Sequence, residues 1–262
     1  MADSAPALAG ALDYTGRVVL VTGGTRGVGR GITERFSEAG ATVFVCGRTA
    51  PAEGFPAEFL TADVRDADQV GVLIRAVVER AGRLDVVVNN AGGSPPADSA
   101  TASARFSTAI VALNLLAPLF VSQAANAVMQ AQDSGGAIVN IASVSGLRPS
   151  PATAAYGAAK AGLLNLTATL AVEWAPKVRV NAVTVGLVRT EQAHLFYGDE
   201  AGIAAVGATV PMGRMAEPAD VADACVMLAS PLARYVSGAN LVVHGGGEKP
   251  AYLEASTGAV RD

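Results

Sequence analysis

Arg17-Val-Val-Leu-Val-Thr-Gly-Gly-Thr-Arg-Gly-Val-Gly29 decides how this chain folds. Val18 to Val21 form an uninterrupted apolar run, which suits a strand covered on both faces. Gly23, Gly27 and Gly29 then permit a tight turn whose backbone amides can approach a pyrophosphate at the start of a helix. The helix is expected in Arg30-Gly-Ile-Thr-Glu-Arg-Phe-Ser-Glu-Ala-Gly40. A Gly-Lys-Ser/Thr triplet is missing, which disfavours a nucleoside-triphosphate loop. An ordinary strand-to-helix turn is the competing reading of the glycines alone.

Further apolar runs recur at Thr42 to Cys46, Leu84 to Val88, Ala137 to Ile141, Val178 to Val183 and Asn240 to Val243, with helix-length segments between them. Such alternation predicts a single α/β domain, a doubly wound parallel sheet flanked by helices on both faces. Ligands in these sheets sit beyond the carboxyl ends of the strands. The glycine turn, Asn89 to Gly92 and Ser143 all fall at such ends. No linker-like break or internal repeat divides the chain. Residues 1–12 lack the basic start of a secretion signal and are expected to be a loose tail. Residues 13–247 form the domain, and 248–262 a tail or interface arm.

The 262 residues are 51% hydrophobic, enough for one large core. A formal charge of −4 and a pI near 5.3 disfavour nucleic acid and anionic membranes as partners. Cys46 and Cys225 have no metal-ligand spacing and suggest buried thiols in a reducing compartment; no metal is expected. His194 and His244 are isolated, which favours loop or packing roles over catalysis. Phe106 to Gln132 carries no charge and is long enough to suggest a membrane span, but Asn114, Pro118, Ser122, Gln123 and Asn126 interrupt it. A helix uncharged all round predicts burial in the core and against another subunit.

Tyr156 and Lys160 lie one helical turn apart, so a phenol and an ammonium share one face. The positive charge is expected to hold the phenol closer to ionisation than its reference value of about 10, making Tyr156 an acid/base. On its own the spacing fits a surface pair equally well. Together, Thr22-Gly-Gly-Thr-Arg-Gly-Val-Gly29, Asn89-Asn-Ala-Gly92, Asn114, Ser143, Tyr156-Gly-Ala-Ala-Lys160 and Arg179-Val-Asn-Ala182 resemble, in order and spacing, the short-chain dehydrogenase/reductase family. The resemblance runs from about Leu12 to about Gly247. Gly213 to Pro218 and Tyr235 to Gly238 are similar to its bacterial 3-oxoacyl-reductase-like branch.

That resemblance implies a Rossmann-type fold and a nicotinamide cofactor. By the same resemblance Tyr156 is the acid/base, Ser143 polarises a carbonyl, Lys160 lowers the tyrosine pKa and holds the nicotinamide ribose, and Asn114 holds a water linking Lys160 to solvent. The buried-amide alternative for Asn114 is satisfaction by backbone. The implied cofactor contacts are Gly23, Thr25, Arg26, Gly27, Val28, Gly29, Arg48, Asp63, Val64, Asn90, Ala91, Gly92, Gly186, Val188 and Thr190, besides Tyr156 and Lys160. Thr42 to Thr49 offers no acidic residue for ribose hydroxyls, whereas Arg26 and Arg48 suit a 2′-phosphate, so NADP(H) is expected over NAD(H). Asp63 is alternatively a helix N-cap.

Two positions depart from the family pattern: Val185 stands where proline is usual, and His244 where aspartate is usual. Gly186 to Met215 is expected to be a largely apolar substrate lid, with Arg148, Arg189 and Arg214 as candidates to meet a remote anion. The reading is therefore a cytoplasmic, homotetrameric oxidoreductase acting on a small carbonyl or alcohol, 3-oxoacyl thioesters among the candidates. A nucleotide-sensing or scaffolding protein without catalysis is the rival.

Overall fold

The computed structural model describes residues 10–252, so the outer parts of both expected tails lie outside the described residues. Seven strands form one parallel sheet: β1 (Val18–Thr22), β2 (Thr42–Gly47), β3 (Glu58–Thr61), β4 (Val86–Asn89), β5 (Gly136–Ser143), β6 (Val178–Val185) and β7 (Asn240–Val243). Their order is β3-β2-β1-β4-β5-β6-β7, with the direction of growth reversing at β1. All six expected strands are present. The seventh, β3, was not anticipated: of its four residues only Phe59 and Leu60 are apolar, and it lies at the sheet edge.

Alternation along β1 shows how the sheet divides the core. Val18 and Leu20 pack with α2 (Ala67–Ala81), α4 (Ala117–Ala131) and α5 (Ala154–Glu173) on one face. Val19 and Val21 pack with α1 (Gly27–Glu38) and α8 (Pro218–Ala229) on the other. Every residue of β1 is buried, as its continuous apolar run requires. Burial of each such valine contributes on the order of 1.5–3 kcal/mol. Packing begins at the end of the expected N-terminal tail, where Ala11 is buried, and just beyond it the Tyr14 hydroxyl donates to Val226 O at 2.7 Å.

The uncharged segment forms a continuous helix, Ala104–Ala131, made of α3 (Ala104–Val111), a π-helical turn at Ala112–Leu116, and α4. The π-turn adds a residue to the local repeat and rotates Asn114 inward, where it is fully buried. By length and composition this helix could cross a membrane; only 28% of its apolar window is buried within the chain, so the expected burial in the core holds only in part. Between sheet and helices, Asn89 Nδ2 donates to Asn140 Oδ1 at 2.8 Å and to Ser122 Oγ at 2.9 Å, and Asn140 Nδ2 donates to Thr167 Oγ1 at 2.9 Å. This network fixes α4 and α5 against the strand ends that carry the site.

Candidate active site

At the carboxyl ends of the central strands lies a cleft of about 910 Å³. Gly23, Thr25, Arg26, Gly27, Val28, Gly29, Arg48, Asp63, Val64, Asn90, Ala91, Gly92, Ser143, Tyr156, Lys160, Gly186, Val188 and Thr190 all line it. Asn114 does not line it: the π-turn holds this side chain fully buried behind Gly92 and Gly93.

The glycine turn needs its glycines for two different reasons. Gly23 and Gly27 adopt φ values of 62° and 53°, in the left-handed region. At Gly29 a Cβ would stand 2.2 Å from Gly23 O and 2.4 Å from Asn90 Nδ2. Asn90 locks this arrangement by donating from Nδ2 to Thr22 O at 3.0 Å and Gly23 O at 3.1 Å. The Thr22 hydroxyl accepts the amides of Asn90 and Ala91, both at 3.0 Å. The turn after β1 and the turn after β4 are thus one rigid unit.

Ser143 ends β5, directly opposite Val185 in the ladder. Its hydroxyl accepts the Ser145 amide at 3.2 Å. Burial pushes the Tyr156 phenol above its ordinary value of 10, and the Ser143 hydroxyl offsets this in part. The expected lowering by Lys160 is not seen: desolvation raises the phenol, only the Ser143 hydroxyl opposes it, and Tyr156 carries its proton at neutral pH. Lys160 is buried, with Nζ 5.7 Å from the Tyr156 ring centroid and donating to Ile141 O at 2.7 Å. Desolvation pushes Lys160 down to about 8, which leaves it mostly charged near neutrality.

Asn114 donates to Ile110 O at 2.9 Å and Gly93 O at 3.0 Å, and its Oδ1 accepts the Gly93 amide at 2.9 Å. Its amide is thus satisfied by backbone. A Cβ on Gly92 would meet Asn114 Oδ1 at 2.7 Å and Lys160 Nζ at 3.4 Å, so both polar ends converge beside a glycine that leaves room for them.

Arg26 and Arg48 are exposed on the cleft wall, and neither has a carboxylate partner among the described residues. Asp63 is bonded by Arg65, which holds its carboxyl down at about 2. The N-cap alternative for Asp63 fails, because Asp66 caps α2 by accepting the amides of Asp68 and Gln69. The three arginines considered for a remote anion are each paired within the chain: Arg148 with Glu248, Arg189 with Glu200 at 2.8 Å, and Arg214 with Asp220 at 2.7 Å.

After β6 the chain turns at Gly186, whose Cβ would lie 2.7 Å from the Cβ of His244; the imidazole-bearing residue packs on that bend. Val188 pairs with Ala216, and two short helices follow, α6 (His194–Tyr197) and α7 (Glu200–Thr209). They hold their own small cluster of Ala193, Ile203 and Met215. Three roles escaped the sequence reading: that of the buried Thr22 hydroxyl behind the cleft, that of the Ile141 carbonyl that accepts Lys160, and that of Glu191, whose carboxylate accepts the Gly27 amide at 2.9 Å. No local pattern announces any of them, since each acts on a partner distant in sequence.

These residues fit a dinucleotide. At the start of α1 the Gly27 amide already holds an anionic group, the Glu191 carboxylate, and the cleft is of the size such ligands need. A family model described as enoyl-(acyl carrier protein) reductase matches residues 23–248. A 3α-hydroxysteroid dehydrogenase of Mediterraneibacter gnavus is 36% identical over 242 residues, covering 87% of this chain and 96% of that protein. The L-rhamnose 1-dehydrogenase (NAD(P)(+)) of Azotobacter vinelandii is also 36% identical, over 88% of this chain and 96% of its own length. The ligand-free aldohexose dehydrogenase of Thermoplasma acidophilum superposes with a TM-score of 0.84 at 32% identity, covering 90% of this chain and 94% of that one. On fold, site and sequence alike, the chain belongs to the short-chain dehydrogenase/reductase family, whose members interconvert alcohols and ketones with nicotinamide cofactors.

Proposed function

We propose that the protein is an NADP(H)-dependent oxidoreductase interconverting an uncharged secondary alcohol and its ketone. The observation that carries this is one cleft holding a protonated Tyr156, a buried Lys160 and Ser143 at one end and two unpaired arginines, Arg26 and Arg48, at the other. The bound nicotinamide supplies the hydride in reduction and accepts it in oxidation. Everything else falls to the chain. As the carbonyl carbon gains hydride, its oxygen becomes anionic; Ser143 donates a hydrogen bond to it and Tyr156 gives up its phenolic proton. The Lys160 ammonium stabilises the phenolate left behind. We assign Asn114 the support of that proton route: it fixes Gly93 and sets its Oδ1 with Lys160 Nζ around Gly92. A protein that only senses nucleotide has no use for a lysine buried at such cost.

The cofactor preference rests on charge. β2 ends without an acidic residue to meet ribose hydroxyls, and Arg26 and Arg48 are left to bind a 2′-phosphate. The engaged state of Arg148, Arg189 and Arg214 favours a neutral substrate over a thioester with an anionic carrier. Relatives are named for a hydroxysteroid and for L-rhamnose, both alcohols. We also propose residues 186–215 as the substrate lid, a cytoplasmic setting, and a homotetramer. The exposed stripe of α5, with Ala158, Ala161, Ala168 and Val172, is uncharged, and the partly covered Ala104–Ala131 helix is free to meet a second copy of it. Fluorescence titration with NADPH and NADH, followed by NADPH oxidation across a panel of steroid, sugar and acyl carbonyls, tests the reading. Tighter NADH binding, or an Arg48→Ala variant with full NADPH affinity, would overturn the preference.

A further inference from the structure

The glycine turn and the segment after β6 meet at a single hydrogen bond among the described residues, from the Gly27 amide to the Glu191 carboxylate at 2.9 Å. That amide opens α1. It is where the helix dipole and unpaired N–H groups favour an anion. Thr190 prepares the contact: its hydroxyl accepts the Gln192 amide at 3.3 Å and its carbonyl accepts the Ala193 amide at 2.9 Å, a turn that directs Glu191 toward the cleft. The Thr190 methyl lies 3.5 Å from where a Gly27 Cβ would stand. Arg30, already bonded to Glu34, also feels the Glu191 charge. Other acids of the segment are used differently, Glu200 pairing with Arg189 and Asp199 capping α7.

We infer that Glu191 is an internal anion that occupies the diphosphate position in the free protein, so that cofactor binding must displace it and thereby releases residues 187–193 from α1. Two like charges cannot share one amide. Glu191 therefore weakens cofactor affinity and couples the segment over the substrate to the state of the cofactor cleft. This rests on the proposed dinucleotide reading.

Glu191→Ala and Glu191→Gln are titrated with NADPH alongside the wild type. The glutamine keeps an acceptor and drops the charge. Both variants are expected to bind about 3- to 10-fold more tightly, the span of one charge-assisted contact near the surface, with the gain shrinking as salt rises. Unchanged or weaker binding in either overturns the inference. Glu200→Gln removes a charge from the same segment without touching Gly27 and is expected to leave affinity as it is. An equal gain there would reduce the effect to net charge and overturn it too. Hydrogen exchange on the free proteins gives an independent readout: Glu191→Ala should exchange faster at the Gly27 amide and over 187–193, and unchanged protection counts against the latch. A wild type that binds neither dinucleotide refutes the proposed function, and exchange alone then decides the latch.

Discussion

Replacing Lys160 by methionine should abolish turnover and yet make the protein more stable at pH 7. Burial moves the lysine from 10.5 to about 8 in the folded protein, a penalty on the charged form of about 3 kcal/mol. The sign follows from proton counts. Below pH 8 the ammonium is charged in both states and the whole penalty is present. Between about 8 and 10.5 the unfolded chain binds more protons, so this residue's contribution to stability rises with pH. Methionine removes the penalty, keeps the aliphatic stem and loses the charged hydrogen bond to Ile141 O, worth about 1.5 kcal/mol. The net expectation is a gain of about 1.5 kcal/mol at pH 7 that shrinks to nothing or reverses by pH 10.5. Urea unfolding followed by the single tryptophan, Trp174, reads it. The wild type alone would mislead, because the buried thiols Cys46 and Cys225 are pushed upward and their contributions fall with alkaline pH. The difference between variant and wild type cancels them. A Lys160→Met protein less stable than wild type at pH 7, or a difference flat from pH 7 to 10.5, would refute the claim that Lys160 is held charged at a cost.

Tyr156→Phe should lose at least roughly 10²–10⁴-fold in turnover with NADPH affinity nearly unchanged, and near-native turnover would remove Tyr156 from the chemistry. With the phenol protonated at neutral pH and Lys160 titrating near 8, ketone reduction should decline above about pH 8 while alcohol oxidation climbs with pH; initial rates in both directions check this. Gly29→Ala forces a methyl group into Gly23 O and Asn90 Nδ2 and should cost about 1–3 kcal/mol of stability together with dinucleotide binding, both measurable in one titrated melt. Val185→Pro should change turnover only several-fold, since Gly186 keeps the bend; a rise of orders of magnitude from almost nothing would favour the non-catalytic rival. Light scattering after size exclusion should give a tetramer; a micromolar monomer contradicts the interface reading, and a dimer reduces it to a single contact between copies.

What the sequence made legible was whatever depends on short-range pattern. β1 could be read because four consecutive apolar residues meet a burial demand on both faces, and the glycine turn because positive φ and close approach restrict the residue type at Gly23, Gly27 and Gly29. Tyr156 and Lys160 could be paired because helix geometry brings i and i+4 together. β3 was missed because Phe59 and Leu60 alone carry no period, and the π-turn because one extra residue does not disturb an apolar stretch that is uniform on every face. The sense of the Tyr156 shift went wrong for a related reason: a charge four residues away can be seen in the sequence, whereas desolvation by the surrounding fold cannot.

Glu191 shows where this boundary lies. Its partner Gly27 is 164 residues away, and nothing in Thr190-Glu-Gln192 distinguishes it from a solvated acid. Only the parallel sheet, which brings the ends of β1 and β6 to one side, sets that acid on the amide where a phosphate would bind. The same topology that makes the dinucleotide cleft readable from Gly23 to Gly29 therefore creates a competitor for it that no motif encodes. Cofactor affinity in this protein then depends on the balance of two anions at one helix end, as well as on the arginines that attract the second of them.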